Sequence, residues 1–137
     1  MIINGEKNTD IENRIFSNNK EIKIFYTKYK AQNIDEFKNK KVIAFAGIGN
    51  PVNFFNLLKD NNIDILEEIS FPDHYDYFDK ELENLINKAK ENNTILVTTE
   101  KDYLRINENY KKNINFLKIV VEIENRNQFI EEIKKVI

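Results

Sequence analysis

The chain has 137 residues, with 23 acidic and 21 basic side chains and a net charge of −2. This length predicts one domain with its own core, and a hydrophobic content of 41% argues against disorder. The balanced charge argues against a nucleic-acid partner, the absence of cysteine excludes disulfides and thiol nucleophiles, and no apolar run approaches the ~18 residues of a transmembrane segment.

The first forty residues predict two short strands around a helix. The residues "MIING" have a strand-like pattern from the first residue onward. Thr9 and Glu12 have the spacing of a capping box, which predicts that a helix begins there and covers about 9–18. Residues 21–31 alternate and are rich in aromatic and β-branched side chains, which predicts a half-exposed strand. Lysines crowd this part of the chain, and we interpret them as a solvated face, with a weak contact to an anionic surface as the alternative: Lys20, Lys23, Lys28, Lys30, Lys38, Lys40 and Lys41.

A central buried strand is predicted by "KVIAFAG", and a glycine-containing turn follows it. Asn50 is a plausible N-cap with Pro51 at the first helical position. The stretch "GIGNPVNFF" lacks the lysine and hydroxyl residue of a Walker A loop and does not complete G-x-G-x-x-G. Gly47 and Gly49 therefore predict either a tight turn alone or a turn that also offers amides to an anion.

The rest of the chain continues to alternate strands and helices. We predict a strand at 63–71, a helix at 79–91, a strand at 94–99, a helical turn capped by Thr99 and Asp102, one strand over 115–123, and a last helix that starts at Asn125. This order predicts an α/β fold with a mostly parallel sheet flanked by helices.

Two further segments at strand ends carry candidate site residues. "FPDHYDYFD" holds the only histidine, His74, next to Asp73, which suits proton transfer or orientation of another carboxylate, although a lone loop histidine is also compatible with a structural role. "TTEKD" either caps a helix and forms an Asp–Lys surface pair, or places Thr98, Thr99 and Lys101 near phosphate oxygens or a carboxylate across a cleft. Ligand sites of α/β folds lie at the carboxyl ends of strands, so these turns are expected to converge.

Together, "AFAGIGNPVNFF", "FPDHYDYFDKEL" and "LVTTEKD" occur in an order and spacing that resembles the C-terminal part of the tetraacyldisaccharide 4'-kinase family. The resemblance covers roughly 41–137, and "INGE" near the start also fits. It implies the C-terminal lobe of a two-lobed P-loop kinase, with 41–137 as an α/β lobe and 1–40 as a linker or β-hairpin-like region with a short helix.

The same resemblance implies a reaction and its setting. The family transfers the γ-phosphate of ATP to the 4'-position of tetraacyldisaccharide 1-phosphate, a lipid A precursor, and gives lipid IVA at the cytoplasmic face of the inner membrane. By analogy, His74 supports a catalytic aspartate carried by the N-terminal lobe. The residues expected to line the cleft between lobes are Gly47, Gly49, Asn50, Asp73, Thr98, Thr99, Lys101 and Asp102.

The sequence departs from the family pattern because it contains no G-x-x-x-x-G-K-[ST] motif. Phosphoryl transfer depends on groups that position phosphates and Mg²⁺. We therefore expect ATP and Mg²⁺ to be bound mainly by an N-terminal P-loop lobe that is absent from this sequence, no metal site in this chain, and no activity from the chain alone. The alternative is a non-catalytic α/β remnant or a module that binds a small molecule or a partner.

Overall fold

A computed structural model describes residues 1–137. The elements in chain order are β1 (Ile2–Asn4), α1 (Thr9–Asn18), β2 (Phe25–Ala31), a 3₁₀ turn (Ile34–Phe37), β3 (Lys41–Ala46), α2 (Pro51–Asp60), β4 (Asp64–Ser70), α3 (Asp79–Glu91), β5 (Ile95–Thr99), α4 (Glu100–Arg105), α5 (Glu108–Lys111), β6 (Ile114–Leu117), β7 (Ile119–Ile123) and α6 (Arg126–Val136). The predicted α/β architecture is confirmed.

The chain forms two compact units. One consists of 1–30 together with 120–137, and the other of 31–119. The division into 1–40 and 41–137 that the family resemblance implies stays a prediction, and the two compact units follow the pairing of the strands. β7 belongs to the same sheet as β1 and β2, so the end of the chain is grouped with its beginning.

The larger unit is built on a four-stranded sheet in the order β4-β3-β5-β6, in which every neighbouring pair is parallel. β3 is buried from Val42 to Ala46, because both faces of a parallel sheet are covered in this architecture. One face packs Val42, Ala44 and Ala46 with α2, and the other packs Ile43 and Phe45 with α3. The predicted central strand and the predicted helix at 79–91 are confirmed.

The smaller unit is a three-stranded sheet in the order β1-β2-β7, with α1 and α6 as its helices. Neither helix contains a buried residue, so the side chains of β2 supply its buried part. The Phe25 and Phe129 rings meet edge to face with centroids 5.1 Å apart, and the Tyr26 hydroxyl donates to Glu12 at 2.8 Å. Ion pairs of Lys28 with Glu124 and of Lys30 with Glu122 lie on its exposed surface, as the solvated-face interpretation predicts.

Two local predictions are wrong. The N-cap of α1 is Asn8, whose side-chain oxygen accepts from the Asp10 and Ile11 amides at 3.0 and 3.1 Å, so Thr9 and Glu12 do not form the predicted capping box. The single strand predicted over 115–123 breaks at Lys118 into β6 and β7, which belong to different sheets.

Helices α2 and α3 end in the same way. Asn62 and Asn93 follow the two C-caps with φ of 60° and 51°. In each case the asparagine amide and the next amide reach back to the last helical turn, which is the Schellman arrangement. No helix in the structure has the length and apolar character that would let it cross a bilayer.

Candidate functional site

Three turns meet at one edge of the larger sheet. Gly47 follows β3, the loop 71–78 joins β4 to α3, and Thr99 ends β5 where α4 begins. Because β4, β3 and β5 are adjacent and parallel, their carboxyl ends lie at the same edge. The expected convergence of the three sequence motifs follows from this topology.

The carboxylate of Asp102 is the centre of this edge, and it has no solvent exposure. Its Oδ1 accepts from the Tyr77 hydroxyl at 3.0 Å and from Arg105 Nη2 at 2.6 Å. Its Oδ2 accepts from the Gly47 amide at 3.1 Å and from the Thr99 hydroxyl at 2.6 Å. A buried carboxylate requires such partners, and these four join the turns after β3, β4 and β5 to one another.

Tyr77 is the link from the 71–78 loop to this centre. Its ring packs edge to face on Phe45 and Phe71, with centroids 5.5 and 5.1 Å away. Burial, followed by the negative charge of Asp102, raises the pKa of Tyr77 well above its ordinary value. The phenol therefore stays protonated and remains a donor to the carboxylate.

Gly47 is required here for space. A β-carbon at this position would lie 2.9 Å from the Tyr77 hydroxyl and 3.1 Å from both Asp102 Oδ1 and Tyr75 Cβ. Gly49 is different, since the nearest atom to a β-carbon there would be an Asp73 carboxylate oxygen at 3.5 Å, an ordinary contact. Only the first glycine is therefore needed for close packing of the turns.

The two threonines of "TTEKD" are buried and internally hydrogen-bonded. The Thr98 hydroxyl donates to the Phe45 carbonyl at 2.7 Å. The Thr99 hydroxyl caps α4, because its oxygen accepts from the Asp102 amide at 3.1 Å. The same hydroxyl donates a hydrogen bond to the Asp102 carboxylate. The predicted N-cap role of Thr99 is confirmed, whereas the Asp102 carboxylate binds the Thr99 hydroxyl and not its backbone amide, so the predicted capping box is incomplete. In the structure these hydroxyls hold the fold together at this edge.

His74 stands on a firmly held loop with its side chain 86% exposed. Its amide donates to the Gly47 carbonyl at 3.0 Å, and its φ of 55° is in the left-handed region, which only a few per cent of residues other than glycine adopt, histidine more often than most. On the far side of the loop, Glu81 accepts from the Tyr75 hydroxyl at 2.6 Å and from the Phe78 amide at 3.1 Å. The loop thus presents an imidazole to solvent from a constrained backbone.

The imidazole has no hydrogen-bond partner within the chain. Asp73 is the nearest acid, and its Oδ2 lies 3.7 Å from His74 Nε2, which is too long for a hydrogen bond. Gly49, Asn50, Asp73 and Lys101 are exposed as well. The predicted site residues therefore fall into two sets: the buried residues Gly47, Thr98, Thr99 and Asp102, whose hydrogen bonds are made inside the protein, and the exposed residues Gly49, Asn50, Asp73, His74 and Lys101.

The buried donors of this edge are not available to a nucleotide phosphate, because the Gly47 amide and both threonine hydroxyls are already bonded inside the protein. Lys101, another donor that the sequence suggests for phosphate, is exposed. Pro51 offers no amide at the start of α2. No group of three or more His, Asp or Glu side chains lies close enough together to hold a metal ion.

Arg105 is a residue of this edge that the sequence motifs do not include. Its Nη2 bonds both the Asp102 carboxylate and the Gly47 carbonyl, the latter at 2.9 Å, while its Nη1 is buried without a protein acceptor. The available signal was its position three residues after Asp102 on a predicted helical turn, which places both on one helix face. Tyr77 lies in the "FPDHYDYFD" segment, but its hydroxyl bond to Asp102 depends on tertiary structure and has no signal in the sequence.

Comparison with known proteins agrees with the sequence motifs. The family model described as Tetraacyldisaccharide-1-P 4'-kinase matches residues 1–137. Tetraacyldisaccharide 4'-kinase of Pelagibacter ubique (strain HTCC1062) is 36% identical over 138 residues, which is 98% of this chain and 44% of the relative. That of Rickettsia akari (strain Hartford) is 44% identical over 105 residues, which is 77% of this chain and 31% of the relative.

A solved structure is also similar. The crystal structure of the "apo" form of LpxK from Aquifex aeolicus in complex with ATP matches with a TM-score of 0.58 and 28% sequence identity, over 85% of this chain and 37% of that one. The chain spans less than half the length of the curated relatives it matches. From the family match over its whole length, the chain belongs to the tetraacyldisaccharide-1-P 4'-kinase family.

Proposed function

We propose that this chain is the C-terminal lobe of a lipid A 4'-kinase, which transfers the γ-phosphate of ATP to the 4'-position of tetraacyldisaccharide 1-phosphate. The P-loop, the Mg²⁺ ligands and most of the ATP contacts come from an N-terminal lobe, on the same polypeptide or on a separate one. This assignment is supported by the family match and by a sequence of 137 residues that contains no Walker A motif.

The main observation in support of the proposal is that His74 has an exposed side chain on a constrained backbone. Its imidazole is exposed and has no hydrogen-bond partner in the chain, while its own amide bonds to the Gly47 carbonyl and the end of its loop, the Phe78 amide, bonds to Glu81. A residue held in a sparsely populated backbone conformation by its surroundings is typical of functional sites. We assign His74 the role of orienting a carboxylate of the P-loop lobe, which in turn accepts the proton of the attacking 4'-hydroxyl.

Other exposed residues at this edge of the sheet are candidates for contacts with the substrates. Lys101 is exposed and has no ion-pair partner, so its ammonium is available to a phosphate of ATP or of the lipid precursor across the cleft. Asp73 lies 3.7 Å from the imidazole, Gly49 lies close to the Asp73 carboxylate, and Asn50 follows Gly49 in the same turn. The phosphoryl transfer takes place at the cytoplasmic face of the inner membrane, where the acylated substrate lies.

The test is ATP-dependent phosphorylation of tetraacyldisaccharide 1-phosphate by the chain alone and by the chain mixed with a P-loop lobe from the same genome. We expect activity only in the mixture. Activity of the chain alone would overturn the division of labour between lobes. Activity in neither would favour a non-catalytic remnant or binding module.

His74→Ala is the decisive variant, and we expect it to lower kcat of the mixture about 10²- to 10⁴-fold, the usual contribution of a group that assists proton transfer. Asn93→Ala is its matched control, because it also places alanine at a left-handed position (φ 51°) but at the end of α3, before β5 begins. The control should keep its activity. Equal activity of His74→Ala and wild type would remove His74 from the site.

A further inference from the structure

We propose that Arg105 is the positioning residue for His74, acting through the carbonyl of Gly47. The proposal rests on the assignment of His74 to the site, and it adds a residue that neither the sequence motifs nor the family resemblance singles out. It concerns two contacts in series, from the Arg105 guanidinium to the Gly47 carbonyl and from that carbonyl to the His74 amide.

The first contact is a clamp on Gly47. Asp102 accepts from the Gly47 amide at 3.1 Å, and Arg105 Nη2 donates to the Gly47 carbonyl at 2.9 Å. Both side chains come from α4, three residues apart, and they bind each other at 2.6 Å. One short helix therefore holds both backbone polar groups of a glycine, the residue with the least intrinsic preference for one conformation.

The second contact passes this orientation to the loop. The same Gly47 carbonyl accepts from the His74 amide at 3.0 Å. A carbonyl oxygen has two lone pairs, and here one serves Arg105 and the other serves His74. When the Arg105 bond is lost, the Gly47 carbonyl keeps only the His74 amide as its donor, so its orientation is less restrained, and the bond that holds the left-handed backbone at His74 (φ 55°) is weakened.

The third observation is the unused nitrogen of Arg105. Nη1 is buried without a protein acceptor, so the side chain acts here through Nη2 alone. Bidentate recognition, the usual reason for arginine rather than lysine, is therefore absent. A single ammonium carries the same two bonds, and we expect Arg105→Lys to retain most of the effect while an apolar side chain of similar length, Arg105→Met, loses it.

The experiment uses the 137-residue chain and needs no activity. The chain has one histidine, so its imidazole gives a single set of NMR signals, and the His74 amide reports directly on the bond to Gly47. We expect Arg105→Met to speed hydrogen exchange of the His74 amide about tenfold, in proportion to the loss of one hydrogen bond, and to shift the imidazole signals. Arg105→Lys should stay within about threefold of wild type.

Lys111→Met is the matched control. Lys111 is also a partly buried cation of an i,i+3 pair, with Glu108, on the neighbouring helix α5, and it has no contact with Gly47. It should leave His74 unchanged. Arg105→Gln, which is neutral and shorter, is measured in parallel in case Arg105→Met does not fold, and the same acceleration is expected. Wild-type exchange and imidazole signals in a folded Arg105→Met or Arg105→Gln would overturn the proposal.

Steady-state kinetics of the Arg105 variants distinguish a failure of this inference from a failure of the proposed function. In the reconstituted kinase, Arg105→Met should lower kcat while KM for ATP and for the lipid stays within about twofold, since the residue orients His74 and touches neither substrate. Arg105→Lys should restore most of kcat. If His74→Ala leaves the kinase unaffected, the proposed role of His74 fails, but the exchange data still decide whether Arg105 positions the loop.

Discussion

Gly47 combines three roles in one residue. Its amide binds Asp102, its carbonyl binds Arg105 and His74, and its missing side chain leaves the space that the Tyr77 hydroxyl occupies. Gly49, two residues later in the same turn, has no comparable constraint. The two glycines look equivalent in the sequence, and only the packing around them separates their roles.

We therefore expect Gly47→Ala to lower the free energy of unfolding by about 1–3 kcal/mol, the usual effect of forcing extra volume into a packed site. Gly49→Ala should change it by less than about 0.5 kcal/mol. Urea denaturation of the two variants and wild type measures the difference. Equal effects of the two substitutions would mean that the turn adapts to a methyl group at Gly47.

At the scale of elements, the contacts of Asn33 explain why the single strand predicted over 115–123 forms the two strands β6 and β7. Its Nδ2 donates to the Phe116 carbonyl at 2.9 Å, and its Oδ1 accepts from the Lys118 amide at 2.7 Å. The Gln32 amide adds a bond to the Lys118 carbonyl at 2.7 Å. The backbone of Lys118 is thus bonded to a loop, and the ladder of β6 ends there.

Asn33→Ala should lower the free energy of unfolding by about 1–3 kcal/mol, because it leaves the Phe116 carbonyl and the Lys118 amide without these partners. Asn53→Ala is the control, since Asn53 is an exposed residue of α2 and makes no side-chain hydrogen bond. It should be neutral or slightly stabilising, given the higher helix propensity of alanine. Denaturation midpoints with an unchanged m-value report the comparison, and a neutral Asn33→Ala would contradict our explanation of the break.

These elements also show what the sequence predicts and what it does not. The strands β3, β4 and β5 and the helix α3 follow from apolar runs and periodicity, which are local properties. The break at Lys118 does not, because the asparagine that fixes it lies 85 residues earlier in the chain. The α1 N-cap was predicted one residue late, since Asn8 and Thr9 are both good caps and only the geometry distinguishes them.

The candidate site divides in the same way. The motifs bring His74 and Asp102 to one sheet edge by topology alone, which sequence order is enough to predict. Whether each side chain faces solvent or a buried partner depends on rotamers and neighbours from other elements. The motifs predict Asp102 to line the cleft, whereas its carboxylate in the structure is fully buried and bonded to four groups.

At the scale of the whole molecule, the two units differ in how much they bury. The larger unit contains strands such as β3 and β5 that are almost completely buried, whereas α1 and α6 of the smaller unit bury no residue. Local stability follows buried apolar contact. The two units should therefore open with different free energies.

Native-state hydrogen exchange tests this expectation. Amides of β3 and β5 should exchange only through global unfolding, while those of α1 and α6 should exchange through openings that cost at least about 2 kcal/mol less. Urea dependence separates the two classes, since local openings expose little surface and respond weakly to denaturant. A single free energy for all four elements would mean that the chain unfolds as one cooperative unit.

The helix ends of α2 and α3 have a consequence for how this chain tolerates mutation of its gene. Asn62 and Asn93 occupy left-handed positions where glycine is the usual residue, and the whole chain has only three glycines. Codons for asparagine begin with two adenines, whereas those for glycine begin with two guanines. A genome that drifts towards adenine and thymine is thus able to replace glycine by asparagine at helix ends without losing the turn. At Gly47 asparagine is no substitute, because a β-carbon at this position would crowd Tyr77, Asp102 and Tyr75. Packing therefore disfavours any replacement of this glycine.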